Sequence, residues 1–448
     1  MLPTWPLLLL LSTFAYAEGE PLRLTLEQCL DRLDGTPLQR AINAQGEIAR
    51  AERKRFDSSL ILPKLEVKIL GAPVPDIGGT IESPITHSFF DFEDFVTHLG
   101  PLVVVDLDAL QPVFTFGKLT KAKRLAELKQ DYGLLGAAQA RSELRLKTAK
   151  VFHGLQATFS LAEVAGEAKQ RLLEARQHLV DLLEEEEESV EQRDVTKLDL
   201  YLLEIEAQLV EVRTRRTEAE AALLLLLDLP PNSRIEPDPL QLSRTAQVLP
   251  GRDELLTHGR EHRSDFQALT LGLEASQLAE DVAQLDFLPE FFLGGKFRLA
   301  RAPDRLDVGS PFLKDDTNFT HLGVALGLRQ KLDFWTLTRS AQLASATAEK
   351  QRLELNLARA GLELDLASAY NRQQADRETL DLLERRVTLA RQMFTEQFAE
   401  FQSGFSDFPI KDLAEAFQVY AEARVALFKR LLDENVSWFE LRTKAALP

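Results

Sequence analysis

The sequence predicts a mainly α-helical fold with a small membrane β-barrel portion, built from one helix–strand–strand–long-hairpin unit used twice. Three observations carry this. The chain repeats itself at an offset of 218 residues, the distance from Phe116 to Phe334. Ala149-x-x-Phe152 returns as Ala367-x-x-Tyr370, Asp194-Val195 as Asp412-Leu413, and Leu229-Pro230 as Leu447-Pro448. Four segments alternate apolar and polar residues with period two. Two further segments keep apolar residues at three and four over runs far longer than globular helices.

The elements follow in order. Leu7 to Leu11 form an apolar core before Ala15-Tyr16-Ala17, which reads as a signal peptide over residues 1–17. The lone Cys29 can form no internal disulfide and does not follow that cleavage site, so lipid anchoring there is not indicated. Apart from this leader, no apolar run approaches the ~18–20 residues of a membrane-spanning helix. A formal charge of −17 argues against a nucleic-acid partner, since phosphate contacts need clustered Lys and Arg.

The first repeat covers 18–230. Leu26, Leu30 and Leu33 open a helix expected from Thr25 to Leu60, which Pro63 ends. A strand is expected at about 64–70, where Leu65, Val67 and Ile69 alternate with Glu66 and Lys68. A polar loop spans about 71–100. A second strand at about 103–113 sets Val105, Leu107 and Ala109 against Asp106 and Asp108. A helical hairpin follows at 114–228, its first arm about 110 Å long if unbroken to about Glu188. Asp194 starts the return arm.

Residues 231–250 form a Pro-rich connector, and 251–448 repeat the plan. A helix is expected from Asp253 to Asp286, strands at about 290–299 and 321–332 around a loop at about 301–320, and a hairpin at 333–446. Gly323, Ala325 and Gly327 alternate with Leu322, Val324, Leu326 and Leu328, small residues suited to a crowded interior. Four such strands cannot close a barrel alone, and open edges in lipid leave backbone groups unpaired. The chain is therefore expected to oligomerise, with the loops outside the cell.

At this point the sequence resembles the TolC-like outer-membrane efflux and secretion channels. The carriers are Leu24-Thr25-Leu26-Glu27-Gln28-Cys29-Leu30, Leu62-Pro63, Gln111-Pro112-Val113-Phe114, Arg263-Ser264-Asp265-Phe266 and Asp412-Leu413-Ala414-Glu415-Ala416. The resemblance implies a homotrimer in the outer membrane of a Gram-negative bacterium, with a twelve-stranded β-barrel continued by a periplasmic α-helical barrel. It implies a passive exit channel for efflux or type I secretion, without catalysis or cofactor. The partners implied are an inner-membrane transporter, a periplasmic adaptor (membrane fusion) protein and outer-membrane lipid. Carried over residue by residue, Asp194, Asp412 and Glu415 would line the periplasmic entrance. Gly404 matches the glycine of the second tip, where the adaptor would touch. The first tip departs from the pattern, with Glu186 inside the run Glu184 to Glu188.

Each assignment has a plainer alternative. Asp194 also reads as a helix cap, and Asp412 and Glu415 as solvated helix residues. A periplasmic coiled-coil adaptor also carries a long hairpin, but typically one, set in a compact β domain without duplicated strand pairs. His258-Gly259-Arg260-Glu261-His262 matches the H-x-x-E-H pattern of zinc hydrolases, with His258 and His262 able to share a metal if a third ligand joins them.

Overall fold

The computed structural model describes residues 20–75, 99–184, 191–305, 317–402 and 410–447. Within them the chain runs β1 (Leu22–Leu24), α1 (Leu26–Arg32), a 3-10 turn (Leu33–Gly35), α2 (Pro37–Ile61), β2 (Lys64–Pro75) and β3 (Leu99–Phe114). It continues through α3 (Lys118–Glu184), α4 (Gln192–Leu226), β4 (Ile235–Pro237), α5 (Arg252–His262) and α6 (Ser264–Leu285). Last come β5 (Glu290–Arg301), β6 (Phe319–Arg329), α7 (Phe334–Gln402) and α8 (Ile410–Lys444). The signal peptide expected at 1–17, Glu186, Gly404 and most of both loops fall outside the described residues.

The offset of 218 persists in backbone detail. The return arms α4 and α8 are each 35 residues long, and both end in the same cap. Asp228 and Ala446 stand at φ of 54° and 53°. Leu229 N donates to Leu224 O and Asp228 N to Leu225 O, while Leu447 N donates to Arg442 O and Ala446 N to Thr443 O. These are the paired bonds of a left-handed helix stop. Neither residue is glycine, so the conformation, costly for L-residues, is held by those bonds and by the buried Leu227 and Ala445 beside them.

Both entry helices are broken where periodicity alone expects them whole. In the first, Thr25 and Gln28 form a reciprocal capping box. The chain then tightens at Leu33–Gly35, and the buried Thr36 hydroxyl accepts from Gln39 N at 3.3 Å. Pro37 restarts the helix at the position that needs no N–H. In the second, Arg263 is extended at ψ 117° between α5 and α6. Its guanidinium holds Asp265 and Asp365 at 2.9 Å, and Asp365 also accepts from Lys444 at 2.6 Å. The Arg-Ser-Asp-Phe segment is thus a charged clamp on α7 and α8. The first long arm also starts later than position 114: a bulge at Pro112–Phe114 and left-handed Phe116 and Gly117 separate β3 from α3.

The chain divides into two compact units, and each draws on both repeats. One comprises the chain up to Gln45, Leu135–Gln267 and everything from Ala358; the other comprises Gly46–Leu134 and Ala268–Leu357. The second unit holds an antiparallel sheet in the order β2-β3-β5-β6, so the two repeats join through β3 and β5. Among the described residues β2 and β6 are open edges. A two-stranded parallel sheet, β1 with β4, lies in the first unit and was not expected from the sequence.

Candidate functional site

The four-stranded sheet has two faces of opposite chemistry, because side chains alternate and the register keeps like with like. On one face Lys68, Asp106, Arg298 and His321 lie in one cross-strand row, and Glu66, Asp108, Lys296 and Gly323 in the next. Arg298 reaches Asp106 at 3.1 Å and Lys296 reaches Asp108 at 3.9 Å. Such cross-strand pairs contribute about 0.2–1 kcal/mol each.

The opposite face carries the rows Leu65–Ala109–Gly295–Val324 and Val67–Leu107–Phe297–Leu322. It is bare: Leu65, Leu322, Val324 and Leu326 are 65%, 75%, 71% and 72% exposed. A sheet in a water-soluble domain hides its apolar face; this one leaves it as open as the charged face, where the Lys68 and Glu66 side chains are 61% and 64% exposed. Gly327 on β6 serves the charged side by lying under the Phe292 ring, where a methyl group would collide.

Toward the C-terminal ends of α3 and α7, helices α3, α4, α7 and α8 share one core. Leu172 and Leu179 of α3 meet Val195, Leu198 and Leu202 of α4, Phe394 and Phe401 of α7, and Leu413, Phe417 and Tyr420 of α8. Phe394 packs on Phe417 and Tyr420 with ring centroids 5.4 and 5.8 Å apart. Asp194 and Asp412 each stand third in their return arms, beside the buried Val195 and Leu413.

Their chemistry differs. Asp194 accepts from Lys197 at 2.9 Å and from Glu191 N at 3.4 Å. The Lys197 contact, then the backbone bond, hold its carboxyl below the usual range. It is a capping and ion-paired residue. In α8 the position equivalent to Lys197 is Glu415, so Asp412 and Glu415 are two carboxylates one turn apart, both exposed. The structure therefore brings the three acidic residues to the ends of one four-helix core, and where Asp194 is paired with Lys197, Asp412 has a second carboxylate, Glu415, at the same spacing.

A third constellation was missed by sequence reading. The connector expected as a linker at 231–250 is a packed strap. It crosses α3, where Gln156 donates to Pro239 O at 2.7 Å and Ser160 Oγ accepts from Leu242 N at 3.0 Å. It then crosses α7 and α8, burying Leu242 against Leu380 and Leu431. Glu434, fully buried, accepts from Thr245 N at 3.2 Å and Gln373 at 3.0 Å and pairs with Arg377 at 3.4 Å. Burial pushes its carboxyl above the ordinary value of 4.5. Trp438 Nε1 donates to Gln247 Oε1 at 2.7 Å.

The histidine pair offers little to a metal. The His258 and His262 rings stack at 4.2 Å, His258 Nδ1 engages Ala445 O at 2.8 Å, and His262 Nδ1 engages His258 O at 3.2 Å. Among the described residues no group of three His, Cys, Asp or Glu side chains converges on one point. Cys29 is buried, its thiol pushed up to about 12 by that burial, and so is inert as a nucleophile.

Residues 255–443 match the outer membrane efflux protein family. Solved structures extend the likeness to nearly the whole chain. The open state of the Neisseria gonorrhoeae MtrE outer membrane channel superposes with a TM-score of 0.72 at 18% identity, covering 94% of this chain and 88% of that one. The chain has the fold of the outer-membrane efflux channels. The outer membrane protein VceC of Vibrio cholerae gives 0.70 at 16% identity over 93% and 94% of the two chains. The Campylobacter jejuni CmeC outer membrane channel gives 0.71 at 16% over 94% and 85%. Among curated proteins, none matches this chain. A coiled-coil adaptor is not favoured, since this channel fold accounts for both hairpins and both strand pairs at once.

Proposed function

We propose that the chain is one third of a passive exit duct in the outer membrane of a Gram-negative bacterium. The observation that carries this is the sheet whose apolar face is bare and whose two edges are open among the described residues. Three copies close twelve strands, satisfy the edge N–H and C=O groups, turn Leu65, Leu322, Val324 and Leu326 to lipid and face the charged rows to water. No helix among the described residues is long and apolar enough to cross a membrane, so in this reading the sheet alone spans it. The hairpins extend into the periplasm, where an adaptor and an inner-membrane transporter deliver cargo.

In this duct the periplasmic entrance carries Asp412 and Glu415 from each copy, and this ring of carboxylates attracts cations. Asp194, already paired with Lys197, caps its helix and contributes less. Reconstitution in planar bilayers tests the reading: the purified protein forms cation-preferring channels. Asp412→Ala with Glu415→Ala lowers that preference while leaving assembly intact, since exposed charges contribute less than about 1 kcal/mol each. A protein that needs no detergent, fractionates away from outer membranes and conducts nothing is not a duct.

A further inference from the structure

The charged clamp at Arg263 closes one side of a cavity of about 590 Å³ whose walls come from both repeats. Helices α1 and α3 of the first repeat contribute Leu30, Ser142, Arg145 and Leu146. The second repeat contributes Ser264, where α6 begins, and Phe439, Arg442 and Thr443 near the end of α8. The volume is typical of sites for small organic molecules.

The charges around the cavity do not all neutralise one another. Arg263 and Lys444 line it but are met by Asp265 and Asp365 at 2.6 to 2.9 Å. The other charged side chains at the wall are Arg145, Arg442 and Glu143. Arg145 is exposed and makes no ion pair among the described residues. Glu143 accepts from Gln139 at 2.9 Å. Arg442 is half-buried, its guanidinium over the Phe439 ring at 5.5 Å from the centroid. Burial, and then the charge of Arg145, hold that guanidinium below its ordinary range. Two cations close enough to feel each other therefore flank a cavity with an apolar floor.

The helix ends agree with a negative occupant. Helix α6 turns its first residues, and with them the positive end of its dipole, toward the cavity. At the negative end of α8 the carbonyls are already bonded: Arg442 O accepts from Leu447 N at 2.9 Å and Thr443 O from Ala446 N at 3.2 Å.

We infer that this cavity binds an organic phosphate. Arg145 and Arg442 take the phosphate oxygens, Ser142 and Thr443 offer hydroxyls, and Leu30, Leu146 and Phe439 cover the apolar body. A phosphate monoester carries close to two charges near pH 7, which suits two guanidinium groups better than a single carboxylate does. The forked donors of arginine also match its oxygens. Bound there, the ligand ties α3 to α8 and so one repeat to the other. The site lies within one chain and stands whether or not three chains form a duct.

The test titrates the full chain in detergent with phenyl phosphate and follows the heat of binding. Arg145→Gln weakens binding about tenfold, the scale of one charge-assisted hydrogen bond. Glu143→Gln tightens it about threefold, because a like charge leaves the wall. Arg442→Lys keeps the charge, loses the fork and also weakens binding. Without ligand, Arg145→Gln and Glu143→Gln unfold at the parent's temperature, which separates lost binding from lost fold. Inorganic phosphate binds more weakly than phenyl phosphate, and benzyltrimethylammonium does not bind. Displacement of phenyl phosphate by micellar phosphatidic acid supports the site with a lipid head group as its ligand; no displacement supports it with a soluble ester. A parent that does not bind phenyl phosphate, or binds benzyltrimethylammonium as well, overturns the inference. So does equal affinity in the parent, Arg145→Gln and Glu143→Gln, and inorganic phosphate binding as tightly as the ester removes the apolar floor from the site and overturns its organic ligand.

Discussion

The sheet and the strap use polar and apolar side chains in opposite ways. In the sheet Val324 is 71% exposed while the charged rows pair among themselves on the other face. Around the strap Leu380 and Glu434 are both fully buried, and the carboxylate is met by Thr245 N, Gln373 and Arg377. On the proposed reading, the first region has lipid as solvent on one face, and the second has water all round. Burial within a single chain therefore does not measure hydrophobic satisfaction when the chain meets two solvents.

Four substitutions probe that contrast. The largest effect is expected at the strap: Leu380→Ala leaves a cavity that the surrounding helices do not fill, at a cost of about 4 kcal/mol. Thermal unfolding followed by circular dichroism reads it, and a loss below about 1 kcal/mol, far under the usual range for such a truncation, would mean that the strap is loosely seated. On the sheet Val324→Arg costs about 3 kcal/mol of membrane assembly if that face meets lipid. Equal insertion of variant and parent into vesicles would assign the face to water.

Gly327→Ala comes next, at about 1–2 kcal/mol, because the added methyl displaces the Phe292 ring. Its effect should appear in assembly yield at raised temperature, and Phe292→Ala in the same chain should remove most of it.

The smallest effect is a pH dependence at Glu434. Its carboxyl is raised above 4.5 by burial, so the folded chain binds this proton more tightly than the unfolded chain. Below the ordinary value both states are protonated and nothing is lost. As pH rises through the raised value a destabilising contribution appears and then stays. Glu434→Gln lacks that contribution, so the gap in unfolding temperature between variant and parent should widen between about pH 4 and pH 8. A constant gap would show that Arg377 keeps the group charged throughout.

Much of this molecule was legible beforehand. The four strands overlap the period-two segments with shifted ends: β2 runs on to Pro75, β3 begins early at Leu99, and β6 stops at Arg329, short of the expected 332. The return arms were legible because duplication reports the same helix twice. The entry helices were not, since the apolar periodicity of Leu26, Leu30 and Leu33 continues across the turn that Thr36 and Pro37 impose. Asp194 and Asp412 were equally visible as acidic residues at helix starts. Nothing local distinguished the capped, Lys197-paired one from the exposed one except the residue three places on.

Alternation, spacing and offset are properties of neighbours along the chain, so the secondary structure, the duplication and the two-faced strands could be read from residue order alone. It took the folded chain to show that residues 231–250 are a strap, that Arg263 clamps α7 and α8 through Asp365 and Lys444, and that Leu22–Leu24 pairs with Ile235–Pro237. Those contacts join residues from about 80 to more than 200 positions apart. Their energy depends on which groups meet once the chain has closed, and no local pattern encodes that.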